Sequence, residues 1–338
     1  MSSDWPRVRL HVVTGKGGTG KTTVAASLAL ALASHGKNVL VCEVEGRQGL
    51  ARMFDVDPLP YAETRIATGF RAKDGHSDGR APGTVHALHI DPESALLEYL
   101  AMYYRLGRAG KALDRFGVVE FATTIAPGVR DVLLTGKVFE AVQRNSRHKG
   151  AIEYDAVVLD APPTGRIVQF LNVSDELAGL AKVGPIKSQA DTMMTLFRSP
   201  RTAVHLVTVL EEMPVQETSD GIAELRAAGL PVGGVVVNLV RPRALPEETL
   251  ALAGAGKLDK ESVRADLERV GVETTKTLVD GLAAEARDHA ERRALEESQR
   301  ALVRELGVPT YELERLAGGI DLGGLYDLAA TLRDQGLA

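Results

Sequence analysis

Apolar residues along this chain gather in short runs, the first at Arg7–Thr14 (RVRLHVVT) and others at Asn38–Glu45, Thr84–Ile90 and Tyr154–Asp160. Further runs read TAVHLVTV at 202–209 and VGGVVVNLV at 232–240, with a short one near Val308–Leu313. Runs of four to nine residues that are apolar on both faces predict strands of a sheet covered on both sides. Helical stretches lie between them. Lys21–His35 is rich in Ala and Leu and stops at Gly36, and Asp91 followed by Pro92 is a helix start. Residues 92–150 and 174–199 carry helical patterns without a strand signal, Pro214–Ala228 fits a helix between two strands, and Pro246–Leu306 is charged and helical. A last helix is expected from about Leu322, and Asp74–Gly83 has loop composition. The alternation predicts an α/β fold with a mostly parallel central sheet flanked by helices. The strand-free blocks at 92–150 and 174–199 are expected to form a helical subdomain inserted within a single domain spanning 1–338.

Composition narrows the function more than the fold. The chain has 338 residues, 44 % of them hydrophobic, enough for a sizeable core. A net charge of −5 and an aromatic content of 4 % argue against nucleic acid as a partner. The longest apolar stretches are strand-length, so stable membrane insertion is not expected. The opening MSSDWPRVRL lacks the apolar core of a signal peptide, and a cytoplasmic protein is expected. Cys42 is the single cysteine, which removes disulfides and paired-cysteine metal sites. His86 and His89, three apart on a strand, point to opposite faces and make a poor metal pair.

One segment carries definite chemistry. Gly15–Thr22, GKGGTGKT, matches G-x-x-x-x-G-K-[ST] between a strand and a helix, the context that a phosphate-binding loop needs. Backbone N–H groups in such a loop point inward at phosphate, and the helix dipole adds attraction. The expected nucleotide-binding set is Gly15, Gly17, Gly18, Thr19, Gly20, Lys21, Thr22 and Thr23, with Lys21 on the β/γ-phosphates and Thr22 on Mg2+. Lys16 is a second lysine in the loop, less naturally placed than Lys21 to reach its own γ-phosphate. It is either a solvated loop residue or a charge offered to a phosphate across a symmetric interface. Asp160 ends a buried strand at the carboxyl edge of the sheet, where α/β folds bind ligands; a helix cap is the plainer reading.

The stretch GKGGTGKTT resembles the deviant phosphate loop of the ATPase class that includes the Min and Par partitioning proteins, the nitrogenase iron protein and the arsenite-pump ATPases. In that class the early lysine marks ATP-dependent dimers. A more particular resemblance, to the arsenite-pump and tail-anchored-protein-targeting ATPases, is carried by Val158–Leu171 (VLDAPPTGRIVQFL), Leu88–Pro92 (LHIDP), Ala126–Leu133 (APGVRDVL) and Glu211–Val240. It implies ATP and Mg2+ as cofactors, with Asp160 contacting the metal through water and Pro162, Pro163, Thr164 and Gly165 forming a nucleotide-sensing switch. It implies that Asn238 reads adenine, for which a strand-end cap is the alternative. It places Glu45 where the family has the switch I aspartate that positions the attacking water, one methylene further out. Slow hydrolysis is then expected, since a misplacement of about 1 Å can cost on the order of 100-fold in rate. Glu43 is a possible substitute, on the same strand face as Glu45 but deeper.

The implied partner is a second copy or a paralogous ATPase, and the implied client a hydrophobic membrane-protein segment. A weakly hydrolysing regulatory or structural subunit is the competing expectation. The cysteine clusters and duplicated phosphate loop of arsenite pumps are absent, so arsenite transport is not expected. The stripe DTMMTLF (Asp191–Phe197), with Leu177, Leu180 and Val183 upstream, reads as core or as a binding groove. The terminal LYDLAATLRDQGLA is mildly amphipathic but carries only Arg333 as a cation, weak for anionic lipid.

Overall fold

The structure is a computed structural model that describes residues 3–46, 48–71, 81–104, 127–144, 151–173, 185–242 and 244–338. Its strands are β1 (Leu10–Gly15), β2 (Val39–Glu43), β3 (Thr64–Thr68), β4 (Thr84–His89), β5 (Ala156–Asp160), β6 (Thr202–Thr208), β7 (Val232–Val240) and β8 (Thr310–Glu314). They form an eight-stranded sheet in the order β3-β4-β2-β5-β1-β6-β7-β8. Every pairing is parallel except that of β3 with β4. The chain leaves β1 for β2 on one side and later passes from β5 across β1 to β6 on the other. The carboxyl end of β1 therefore lies where the strand order reverses, the place at which open α/β sheets hold ligands.

Period-two alternation divides the strand side chains between two cores. Leu10, Val12, Leu40, Cys42, Val157 and Leu159 belong to one, and Val13, Val39, Val41, Ala156 and Val158 to the other. The second core is closed by α1 (Lys21–Ser34), α2 (Gly49–Met53) and α11 (Leu322–Asp334). Helix α1 is apolar all round and buried for nearly its whole length, as a helix sandwiched between sheet and α11 must be. The apolar face of α11, with Leu325, Leu328 and Leu332, packs on α1, so this amphipathic terminus is core and not a lipid-binding tail.

The opposite face carries α3 (Pro92–Tyr104), α4 (Pro127–Gln143), α5 (Thr164–Leu171), α6 (Pro185–Phe197) and α7 (Glu212–Ala227). Helix α4 packs on α3, α5 and α6 and touches β5. Met193, Met194, Leu196 and Phe197 of α6 are buried in this core, which settles that stripe as packing; Leu177, Leu180 and Val183 lie outside the described residues. The charged stretch after β7 resolves into α8 (Glu247–Gly254), α9 (Lys260–Arg269) and the 30-residue α10 (Lys276–Glu305). Among the described residues no helix is long and apolar enough to cross a membrane.

Strand β3 is the strand that the apolar pattern did not announce, as it did not announce the short helices α2 and α5. It is five residues long, half-buried and sits at the sheet edge, paired antiparallel to β4. An edge strand buries too little to need an apolar run.

Candidate functional site

Gly15 ends β1, and Lys21 begins α1 six residues later. The loop between them turns through Gly18 and Gly20, each at φ 89°, a region that side chains rarely adopt. Gly20 is also required by space, because a Cβ there would lie 2.3 Å from Asn238 Nδ2. No side chain caps the start of α1, which leaves its first-turn N–H groups for another acceptor. Lys21 and Thr23 are buried, while Gly17 and Gly18 are exposed at the rim. The loop thus has the uncapped helix start and the buried cation that an anion would fit.

The Thr22 hydroxyl donates to Asp160 Oδ2 at 2.6 Å, joining the loop to the carboxyl end of β5. Asp160 is buried, and that burial pushes its carboxyl up to about 7. The Thr22 hydrogen bond and Lys21 oppose the rise, and Glu43 and Glu45 add to it. Two oxygen donors at a buried carboxylate form the hard set that Mg2+ takes, and a cation there would relieve the cost of burying the charge. Behind them, the Thr14 hydroxyl donates to the Pro162 carbonyl at 2.7 Å, pinning the start of the Pro162–Gly165 turn to β1. The Thr164 hydroxyl is buried without a hydrogen-bond partner, and its methyl group would meet a Cβ on Gly221 of α7 at 2.4 Å.

Glu45 lies apart from this cluster in character. Strand β2 ends at Glu43, and Glu45 is exposed in the turn that follows. Glu43 is the buried carboxylate: its register partner on β5 is Asp160, and its Oε1 accepts the Gly49 N–H at 2.7 Å. The alternation argument placed Glu43 deeper, as found, but a shared strand face does not extend past the strand's end.

Lys16 is ion-paired with Glu217 on α7 of the same chain, both about one-third exposed. Asn238 is buried, and its amide nitrogen donates to the Thr19 carbonyl at 2.9 Å. It is therefore a tether on the loop, a role distinct from a strand-end cap. Leu239 after it has φ 56°, an uncommon conformation for a leucine. Lys16, Thr19, Met213, Leu239, Arg241 and Leu295 line a cleft of about 610 Å³ beside the loop. Sequence reasoning placed Lys16, Thr19 and Asn238 around a nucleotide. It missed Glu217, for which a separation of 201 residues left no local signal.

A phosphate-type loop at the reversal of strand order, bonded to a carboxylate one strand away, defines a P-loop nucleotide hydrolase. The particular family follows from comparison: residues 8–200 match the family described as Anion-transporting ATPase, and the chain belongs to that family. It is 50 % identical to "ATPase BagA" of Mycobacterium tuberculosis (strain ATCC 25618 / H37Rv) over 99 % of this chain and 97 % of that protein. It is also 27 % identical to "ATPase get3" of Neurospora crassa over 57 % of this chain and 51 % of that protein.

Proposed function

We propose that this chain binds Mg2+·ATP in the loop between β1 and α1, hydrolyses it, and uses the cycle to close a dimer that handles a hydrophobic membrane-protein client. The observation that carries the reading is the Thr22–Asp160 hydrogen bond, which sets a hydroxyl and a carboxylate beside Lys21. When bound, Mg2+ supplies charge neutralisation at the β/γ-phosphates. The loop amides and the start of α1 hold the phosphates, and Lys21 places a buried positive charge against them. Thr22 and Asp160 hold the metal, Asp160 through water.

Asn238 has its nitrogen committed to Thr19, so its oxygen is left to accept from the exocyclic amine of adenine, favouring ATP over GTP. Lys16 serves the neighbouring subunit's γ-phosphate once it leaves Glu217. The partner is a second copy or a paralogous ATPase, the compartment is the cytoplasm, and α3, α4 and α6 belong to a helical subdomain of one ATPase domain.

A second reading has an observation of its own. Glu45, at the switch I position, is exposed beyond the end of β2, which favours slow turnover or a regulatory subunit that hydrolyses little. Turnover of the isolated chain, with and without a paralogous ATPase, separates the two. Hydrolysis by the chain alone supports the enzyme, and turnover only in the mixture supports the regulatory subunit. Absence of ATP binding in either case removes both.

A further inference from the structure

Glu43 is a buried carboxylate with half of its bonding unexplained. Its side chain is only 3 % exposed, and it pairs in register with Asp160 on the neighbouring strand. Oε1 is accounted for by the Gly49 N–H at the start of α2. Oε2 is buried and has no hydrogen-bond partner. The nearest cationic candidate, His89 Nδ1, stands 3.9 Å away and is itself without a partner, a separation too long for a hydrogen bond. A buried carboxylate left in this state is costly unless a charge or donor arrives to complete it.

What lies within reach identifies the arrival. A Cβ placed on Gly49 would sit 3.1 Å from Glu43 Oε1, 3.1 Å from Thr22 Cγ2 and 3.7 Å from Thr22 Oγ1. Glu43 and Thr22 thus converge on one point from two elements, and Thr22 Oγ1 is already bonded to Asp160. A side chain at Gly49 would crowd that approach. The holding of Gly49 explains one oxygen of Glu43 and leaves the other without a donor within hydrogen-bond distance.

We infer that Glu43 is a second carboxylate of the divalent-cation site, its free oxygen accepting from water held on the cation that Thr22 and Asp160 take. This rests on the reading of the loop as an Mg2+·nucleotide site and deepens it. The two oxygens then have separate tasks: Oε1 fixes the first residue of α2, and Oε2 senses the metal. Arrival or loss of the cation is felt directly at α2, immediately after the exposed Glu45 turn. Glu43 acts on the metal through water and is a positioning residue, with no contact to the reacting phosphate claimed for it.

The test is calorimetric titration of ADP into the full chain, once with Mg2+ and once with EDTA, for wild type, Glu43→Gln and His89→Asn. In wild type Mg2+ tightens ADP binding. Glu43→Gln keeps an acceptor for Gly49 but loses the charge, and outer-sphere partners of this kind are worth about 10–100-fold in metal affinity. The Mg2+-dependent gain should fall by about that factor, while ADP affinity in EDTA stays within a few-fold. His89→Asn should keep the gain. If the glutamine variant melts below the assay temperature, Glu43→Ser removes the carboxylate without adding an amide donor, and the same loss is expected. An undiminished gain in either folded variant overturns the inference, as does an equal loss in His89→Asn, which would assign Oε2 to the histidine. Wild type that binds ADP with no gain from Mg2+ overturns it too. Wild type that binds no nucleotide removes the underlying ATPase reading instead.

Discussion

On one flank of the phosphate loop, Lys21 and Thr22 open a helix buried along nearly its whole length, and Thr22 is bonded to a carboxylate that is itself out of water. On the other flank, Lys16 is 32 % exposed and is held by one ion pair to a glutamate that is 36 % exposed. The first flank is fixed by the same packing that makes the fold: displacing Thr22 or Asp160 means disturbing α1 and β5. The second is fixed by an interaction that water and salt weaken, worth on the order of 0–1 kcal/mol for surface pairs. A site divided in this way can bind nucleotide with a preformed half and respond with an adjustable one. The cleft beside the adjustable half is likewise exposed, at Met213, Leu239 and Leu295.

The largest effect that would sharpen this contrast is expected from Lys16→Ala. ATP affinity should stay within a few-fold of wild type, because Lys21 and the loop amides remain. Turnover and ATP-driven self-association should collapse. A charge supplied in trans is worth roughly 10³–10⁵ in rate, less where Glu45 already limits the chemistry. Mixing Lys16→Ala with Asp160→Ala chains should restore some turnover, since the Asp160→Ala subunit still lends its own Lys16 to an intact site. No rescue, together with normal dimers of the single variant, would make Lys16 an ordinary loop lysine.

Lys21→Ala should act on the buried flank and at the binding step. Loss of a charge-assisted contact of about 3 kcal/mol lowers ATP affinity by about 100-fold. The melting temperature without nucleotide should hold or rise, because the replacement removes a buried charge. ATP affinity equal to wild type in the folded variant would move the phosphates away from this loop.

Asn238 stands between the two flanks. Asn238→Ala leaves the Thr19 carbonyl without its donor and removes the amide oxygen, so ATP affinity should drop by about 10-fold. Measured side by side, GTP should lose less, narrowing the preference for adenine. Equal losses for the two nucleotides would confine Asn238 to holding the loop.

The buried flank was largely legible in the sequence and the exposed one was not, for a physical reason. Strands β1, β2 and β5 had to be apolar on both faces, Gly15 and Gly20 stand where a Cβ would clash, and Gly18 turns at φ 89°, so strands and loop both left local patterns. The Lys16–Glu217 pair joins the loop to a helix far along the chain, and a surface glutamate on a helix looks the same with or without a partner. Glu43 and Glu45 show a finer limit. Alternation ranks residues by face while a strand lasts, but β2 stops at Glu43, and the turn beyond it, with Gly46 at φ 72° and Gln48 at φ 52°, follows another geometry. Short β3 escaped because an edge strand needs no apolar run.

The smallest expected effect is the one that most directly probes the adjustable flank. Glu217→Gln removes the charge that holds Lys16 while keeping a side chain of similar size on α7. If the pair restrains Lys16 in the resting chain, its removal leaves the lysine free to reach a partner, and ATP-driven association should strengthen. The gain is bounded by what an exposed pair is worth, so it should be no more than about five-fold, with ATP affinity unchanged. Salt supplies an internal control. Screening weakens the wild-type pair as ionic strength rises toward 1 M, where the Debye length is about 3 Å, so the two proteins should converge there. A gap that persists at high salt would point to the packing of α7 itself, whose Gly221 lies against Thr164 at the start of α5, as the origin of the effect. Weaker association in Glu217→Gln at low salt would reverse the assignment and make Glu217 a contributor to the closed state.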